Sequence, residues 1–231
     1  MAKSLKTLEK ESMNIIKEAA KKNKKMIVMF SLGKDSTVLL HLIYKMYGNK
    51  IPFDVGYLDN GLEFPESYKF LKEKQKELNF NLVTIKTPPK GKLIKGSGVS
   101  CCGLNKAEGN KKLEKIYDAL IIAIRRDENP ARANEVYIRD KRVHPLLDWT
   151  EKDIWEYIKQ NNIKVNDLYF AKNGKRFRSI GCSNCSVPIK SDAKTVDEII
   201  EEIKQNPNGE RAGRDKEKEQ VMQKLRAFGY M

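Results

Sequence analysis

A run of apolar residues from Met26 to Phe30 stops at Ser31-Leu32-Gly33-Lys34-Asp35-Ser36, and an apolar pattern of helical period follows at once. This strand-turn-helix joint constrains the fold more than any other feature, and the same alternation recurs along the chain. Phe53–Leu58, Phe80–Ile85 and Ala119–Ile124 read as further strands. Between them, Pro65 opens a helix continuing to Leu78, and another helix is expected over about 105–117. An amphipathic helix over 5–22 precedes the first strand, and the helix after the turn runs from about Asp35 to Tyr47, with Gly48 as its stop. Strands alternating with helices predict an α/β fold, a doubly wound, mainly parallel sheet whose ligand lies at the carboxyl ends of the strands. Trp149-Thr150-Glu151-Lys152-Asp153 opens a further helix, with Thr150 as N-cap and Asp153 as its partner. Beyond about 165 the chain turns loop-rich, with helices expected near 195–204 and 215–227. The expected division is an α/β ligand-binding domain over 1–165 and a C-terminal segment over 166–231 that closes over the site.

The turn itself carries chemistry. Free backbone N–H groups and the positive end of a helix dipole meet there, an arrangement that binds phosphate. Lys34 adds a mobile ammonium, and Ser31 and Ser36 add hydroxyls. Each charge-assisted hydrogen bond is worth roughly 1.5–3 kcal/mol. The loop is too short for G-x-x-x-x-G-K-[ST]. Its S-x-G-K-D-S pattern resembles the pyrophosphate loop of the ATP pyrophosphatase superfamily, whose members cleave ATP between the α and β phosphates and pass AMP to an acceptor. That resemblance implies ATP and Mg²⁺ bound at Ser31, Gly33, Lys34, Asp35 and Ser36. Leu32 departs from it, standing where many members have Gly.

Two more strand ends reach the same edge. Asp59-Asn60-Gly61 is a turn signal and equally a nucleotide or metal contact through Asp59, as in the corresponding segment of pyrophosphate-loop enzymes. Arg125, Arg126 and Arg132 follow the fourth strand. Guanidinium forks match phosphate and sulfate oxygens, so these three are candidates for an acceptor oxyanion. The alternative is a salt-bridge cluster with Asp127 and Glu128. In Gly209-Glu-Arg-Ala-Gly-Arg214, Arg211 and Arg214 either fold over a bound nucleotide or belong to a capping loop. His41 and His144 read as structural.

The four cysteines are Cys101, Cys102, Cys182 and Cys185. Reduced thiols in such a set point to a metal site. Zinc takes spaced pairs, whereas a [4Fe–4S] cube accepts adjacent cysteines on separate irons, which favours the cluster.

Formal charge is +14, from 45 basic and 31 acidic residues. That excess suits polyanionic partners, nucleic acid among them, although runs such as Lys21-Lys22-Asn23-Lys24-Lys25 also read as a solvated helix end. No apolar run reaches the ~20 residues that span a bilayer, and the start lacks a secretory h-region, so a cytoplasmic protein without membrane contact is expected.

Together these residues resemble the phosphoadenosine-phosphosulfate (PAPS) reductase superfamily over nearly the whole length, and they mix two of its branches. Leu8-Glu9-Lys10-Glu11-Ser12, the loop, Arg125-Arg126-Asp127-Glu128, Asp148–Trp155 and Gly209–Arg214 are similar to the catalytic small subunits of sulfate adenylyltransferases, which act with a GTPase subunit. The cysteine pattern, with Lys106 four residues after Cys102, is similar to the [4Fe–4S] adenylyl-sulfate reductases. Those carry a catalytic cysteine near the C-terminus, and this chain has none after Cys185. A complete ATP loop with a cluster resembles the ATP pyrophosphatases of DNA phosphorothioation and some tRNA thiolases, served by a cysteine desulfurase. The resulting expectation is an adenylyl transferase in sulfur chemistry, with nucleic acid favoured as acceptor, sulfate second and adenylyl-sulfate reduction third. A homodimer is allowed.

Overall fold

A computed structural model describes residues 3–87, 101–184, 186–207 and 209–210, with side chains at all of these except 101–105 and 131. Helix and strand alternate through α1 (Leu5–Lys22), β1 (Met26–Met29), α2 (Lys34–Met46), β2 (Asp54–Asp59), α3 (Pro65–Leu78), β3 (Leu82–Lys86), α4 (Cys101–Glu114) and β4 (Ala119–Ile121). A short hairpin, β5 (Ile138–Arg139) and β6 (Arg142–Val143), leads to α5 (Glu151–Gln160). A second hairpin, β7 (Lys175–Arg176) and β8 (Ile189–Lys190), precedes α6 (Val196–Gln205).

The main sheet runs β3-β2-β1-β4-β6-β5. All its pairings are parallel except β5 with β6, and β1 is central, Ile27 lying between Asp54 of β2 and Leu120 of β4. The chain steps outward from β1 to β3, then returns to place β4 on the other side of β1. The gap between the carboxyl ends of β1 and β4 is therefore the topological switch point, where such sheets bind ligands.

Local sequence explains the element ends. Ser4 caps α1 by accepting the Thr7 N–H, Pro65 opens α3, and Asn79 leaves it in the left-handed region at φ +47°. Thr150–Asp153 and Thr195–Glu198 close reciprocal capping boxes on α5 and α6. Both sheet faces are covered. Val28, Phe30, Leu39 and Leu42 bury with Trp149, Trp155, Ile199 and Ile203, while Ile27 and Leu120 bury with Leu113 and Tyr117. Each fully buried side chain of this size contributes roughly 1.5–3 kcal/mol. Residues on both sides of 165 thus share one core.

The structure departs from the sequence reading in places. β4 covers only Ala119–Ile121, because the chain bends where the Ile124 N–H donates to the Ile122 carbonyl. That bend carries Arg125 toward the switch point. α4 spans Cys101–Glu114 rather than 105–117. Gly109 lets it lie close to β2, since a Cβ there would stand 2.8 Å from Leu58. The two hairpins were not anticipated, because two-residue strands carry no periodic signal. A helix over 215–227 falls outside the described residues. No described helix is long and apolar enough to cross a membrane.

Two of the motifs behind the resemblance prove to be braces. Ser12 Oγ donates to the Pro145 carbonyl and accepts from Trp149 Nε1, tying α1 to the start of α5. Asp148 accepts from Lys3, Arg126 and the Tyr137 hydroxyl.

Candidate active site

The turn between β1 and α2 is held in one shape by its own side chains. Ser36 Oγ donates to the Gly33 carbonyl at 3.0 Å and accepts from the Ser31 N–H and hydroxyl, both at 3.2 Å. Thr37 Oγ1 donates to the same carbonyl at 2.9 Å. Leu32 has φ +63°, which explains why Gly suits this position in relatives of the motif. A non-glycine residue there costs about 1–2 kcal/mol. Leu32 is 1% exposed, and its burial offsets that cost. Gly33 stands at the N-cap of α2 without a side chain to cap it. Tyr169, fully buried, accepts the Lys34 N–H at 2.9 Å. Among the described residues, the N–H groups of Leu32, Gly33, Asp35 and Ser36 make no hydrogen bond. They are the donors a phosphate needs at a helix N-terminus.

Beside this turn lies a buried cluster of charge. Arg125, fully buried, donates from Nε to Asp35 at 2.6 Å and from one terminal nitrogen to both oxygens of Asp127 at 2.7 and 2.8 Å. Its other terminal nitrogen donates to Glu210 Oε2. Lys34 Nζ, 1% exposed, donates to Glu210 Oε1 and lies 3.4 Å from Asp35. One carboxylate therefore bridges the two cations. Behind it, Arg178 forms a two-nitrogen pair with Glu151, both side chains 4% exposed, and the Glu151 N–H donates to Asp127.

The protonation states follow from this packing. Burial opposes charge on Lys34, yet Asp35 and Glu210 raise its pKa above the usual value. Burial alone would raise the Glu210 carboxyl, but Lys34 and Arg125 outweigh it and hold it at about 2. Asp127 is pushed up to about 6, burial exceeding the pull of Arg125. Glu151 is raised by burial and by Glu210, against Lys34 and Arg178. The cluster holds Lys34, Arg125 and Arg178 against Asp35, Asp127, Glu151 and Glu210, three cations to four carboxylates.

The structure thus brings Ser31, Gly33, Lys34, Asp35, Ser36 and Arg125 together. It gives other candidates local partners. Arg126 donates to the Glu135 carbonyl and pairs with Asp148, and Arg132 pairs with Glu128, so both brace the segment that carries Arg125. Asp59 ends β2 on the same sheet edge, where its Oδ1 accepts from the Gly61 N–H and the Tyr68 hydroxyl. His41 bonds Tyr157 and His144 the Val136 carbonyl. Cys182 is buried. Cys101 and Cys102 start α4 with side chains outside the described residues, as are Cys185, Arg211 and Arg214 entirely. Among the described residues no three His, Cys, Asp or Glu side chains group to hold a metal ion. Of the four cysteine side chains only that of Cys182 lies within the described residues.

Sequence reasoning missed Glu210, Tyr169, Glu151 and Arg178, whereas the salt-bridge alternative had named Asp127 and Glu128, which pair with Arg125 and Arg132. Glu210 had a signal, since it lies in the Gly209–Arg214 motif beside the two candidate arginines.

The family profile described as phosphoadenosine phosphosulfate reductase domain matches residues 25–188. Sulfate adenylyltransferase subunit 2 of Sulfurovum sp. (strain NBC37-1) is 31% identical over 98% of this chain and 97% of its own length. Two solved structures share the fold. Yeast FAD synthetase in complex with FAD superposes with a TM-score of 0.59 at 18% identity, over 93% of each chain. PAPS reductase from Candida auris, a phosphate complex, gives 0.58 at 19% identity, over 81% of this chain and 100% of that one.

Proposed function

The chain belongs to the phosphoadenosine phosphosulfate reductase domain family and is an enzyme of the adenylyltransferase and ATP pyrophosphatase type; on that premise we propose that it makes adenylyl sulfate from ATP and sulfate. The observation that carries the reading is the convergence of Lys34, Arg125 and the uncapped α2 N-terminus at the switch point. A full-length relative named as a sulfate adenylyltransferase subunit supports sulfate over nucleic acid as the acceptor. Its subunit designation supports a partner subunit, expected from the resemblance to be a GTPase.

In this mechanism ATP enters with Mg²⁺, its β and γ phosphates facing the free N–H groups of the turn. A sulfate oxygen forms a bond to the α phosphorus, and the bond from that phosphorus to the bridging oxygen breaks. Pyrophosphate leaves with the electron pair. Lys34 and the α2 N-terminus receive the charge that develops on it, and Arg125, which shares the Glu210 and Asp35 carboxylates with Lys34, adds a second cation beside them. Arg126 and Arg132 position Arg125 through Asp148 and Glu128. Asp59 sits one strand away, at the edge where the nucleoside would lie.

The cysteines support a second reading, in which Cys101, Cys102, Cys182 and Cys185 hold a [4Fe–4S] cluster and AMP activates a nucleic-acid oxygen for sulfur insertion. One assay separates the two. Pyrophosphate release from Mg-ATP is measured with added sulfate, DNA or tRNA. Stimulation by sulfate, with adenylyl sulfate formed, is expected. Stimulation by nucleic acid alone would replace the first reading with the second. Lys34→Ala should lower release by roughly 10²–10³-fold, the usual loss for one transition-state donor. Unchanged release would remove the loop from the mechanism.

A further inference from the structure

The bridging carboxylate of Glu210 has no part in the chemistry above, yet it occupies the ground that chemistry needs. Its two oxygens accept from Lys34 Nζ and from Arg125, the two cations nearest the uncapped turn. Two oxygens on one centre, spaced to meet two cations, are also what a phosphate group offers. We infer that Glu210 is an internal stand-in for a nucleotide phosphate, and that the pyrophosphate portion of the substrate must displace it. The inference rests on the phosphate-loop reading of Ser31–Ser36.

Charge balance gives the reason for displacement. Lys34, Arg125 and Arg178 already face four carboxylates, so the cluster is short of positive charge before any phosphate arrives. A polyphosphate added on top would meet the free N–H groups of the turn but would find the Lys34 and Arg125 donors already taken by Glu210. One carboxylate has to go. Asp35 is fixed on the first turn of α2, and Asp127 is held by Arg125 and the Glu151 N–H. Glu151 is locked to Arg178 on the first turn of α5. Glu210 alone stands beyond the last described helix, five residues after α6 ends at Gln205. Its side-chain bonds among the described residues are those to Lys34 and Arg125. Gly209 fits the same picture, since a Cβ there would press on the Arg178 guanidinium and the Asn206 side chain, which would have to shift.

The arrangement also keeps the empty site in order. Glu210 is the nearest counter-charge of Lys34, with Asp35 farther off at 3.4 Å, and it fills the one terminal nitrogen of Arg125 that Asp35 and Asp127 leave open, until the nucleotide takes its place.

The test is calorimetric titration of the full chain with inorganic pyrophosphate and Mg²⁺. Glu210→Gln keeps the size of the side chain but weakens its hold on both cations, and should bind pyrophosphate at least tenfold more tightly than the wild type. Glu210→Asp is one methylene shorter, cannot reach both cations at once, and should bind a few-fold more tightly; it decides the matter if Glu210→Gln does not fold. Equal or weaker binding by the folded variants, with binding lost in Lys34→Ala, would overturn the stand-in while leaving the loop reading intact. Wild-type binding in Lys34→Ala would instead bring down the loop reading and the inference together.

Discussion

Replacing Arg178 by Met should destabilise the protein by about 3–5 kcal/mol, the usual result of stripping one partner from a buried ion pair. The magnitude follows from the surroundings. Arg178 and Glu151 are each 4% exposed, and Arg178 donates to Glu151 at 3.1 and 2.7 Å. Without the guanidinium, the Glu151 carboxylate is left beside Glu210, whose charge already helps to raise it. For a chain of this size the loss corresponds to a fall of roughly 6–20 °C in melting temperature. The sign of its pH dependence can be worked out. Burial raises the Glu151 carboxyl in the folded protein, and removing Arg178 takes away a group that lowers it, so the folded-state value climbs further. A folded value above the unfolded one means the folded state binds the proton better, and the penalty is complete only above the folded value. The cost of Arg178→Met should therefore shrink as pH falls from 8 to 5. Glu151→Leu added to Arg178→Met removes the stranded charge and should recover most of the stability. Urea unfolding of the single and double variants at both pH values measures all three effects. A single variant costing under about 1 kcal/mol, or a double variant no better than the single, would show that water screens the pair and that the cluster is not a low-dielectric site.

Other expectations are as direct. Leu32→Gly relieves about 1–2 kcal/mol of left-handed backbone cost but forfeits about 1.5–3 kcal/mol of burial, so thermal unfolding should show a net loss near 1 kcal/mol, and a gain would mean that strain dominates the turn. The Glu210 carboxyl, held at about 2 against an ordinary 4.5, contributes stability that is full above the ordinary value and is lost as pH falls toward 2. That stabilisation is on the order of 3 kcal/mol, and the stability difference between wild type and Glu210→Gln should close across this window; a difference independent of pH would detach Glu210 from its cations. If the cysteines hold a cluster, anaerobically purified protein should carry about four irons with broad absorbance near ~400 nm, and Cys182→Ala should lose both. Iron-free protein that still forms adenylyl sulfate would leave the cysteines outside the chemistry.

Long elements with a strong period were legible in the sequence. The loop helix, the Pro65 helix and the Thr150 cap all came from short-range signals, namely apolar spacing, a proline at a helix start and a capping pair. The turn at Ser31–Ser36 was legible for the same reason, since every group that shapes it lies within a few residues. The rest of the site is made by contacts across long stretches of chain. Lys34 meets Tyr169 and Glu210, and Arg178 meets Glu151, only because the sheet order brings β1 beside β4 and α6 packs against α5. No local pattern marks such pairs. The arginine cluster shows the limit in one segment. Arg125, Arg126 and Arg132 look equivalent as letters, yet the bend after β4 sends Arg125 into the buried gap while Arg126 and Arg132 meet neighbouring carboxylates.

Net charge misleads here in an instructive way. The chain carries +14, which suggests a protein built to attract polyanions. The buried cluster beside the turn has more carboxylates than cations. Long-range attraction helps to bring a nucleotide to the surface, but it cannot select one at the gap between β1 and β4. Selection there depends on local exchange, in which a ligand must match the two-oxygen geometry of Glu210 and offer more charge to Lys34 and Arg125 than the carboxylate does. A polyphosphate meets both conditions and also engages the free N–H groups of α2, which Glu210 does not reach. Chloride has neither the charge nor the span, and acetate matches the two oxygens of Glu210 without exceeding their charge. An internal carboxylate thus makes the site more demanding than two bare cations would be, because every candidate ligand is compared with an occupant already in place.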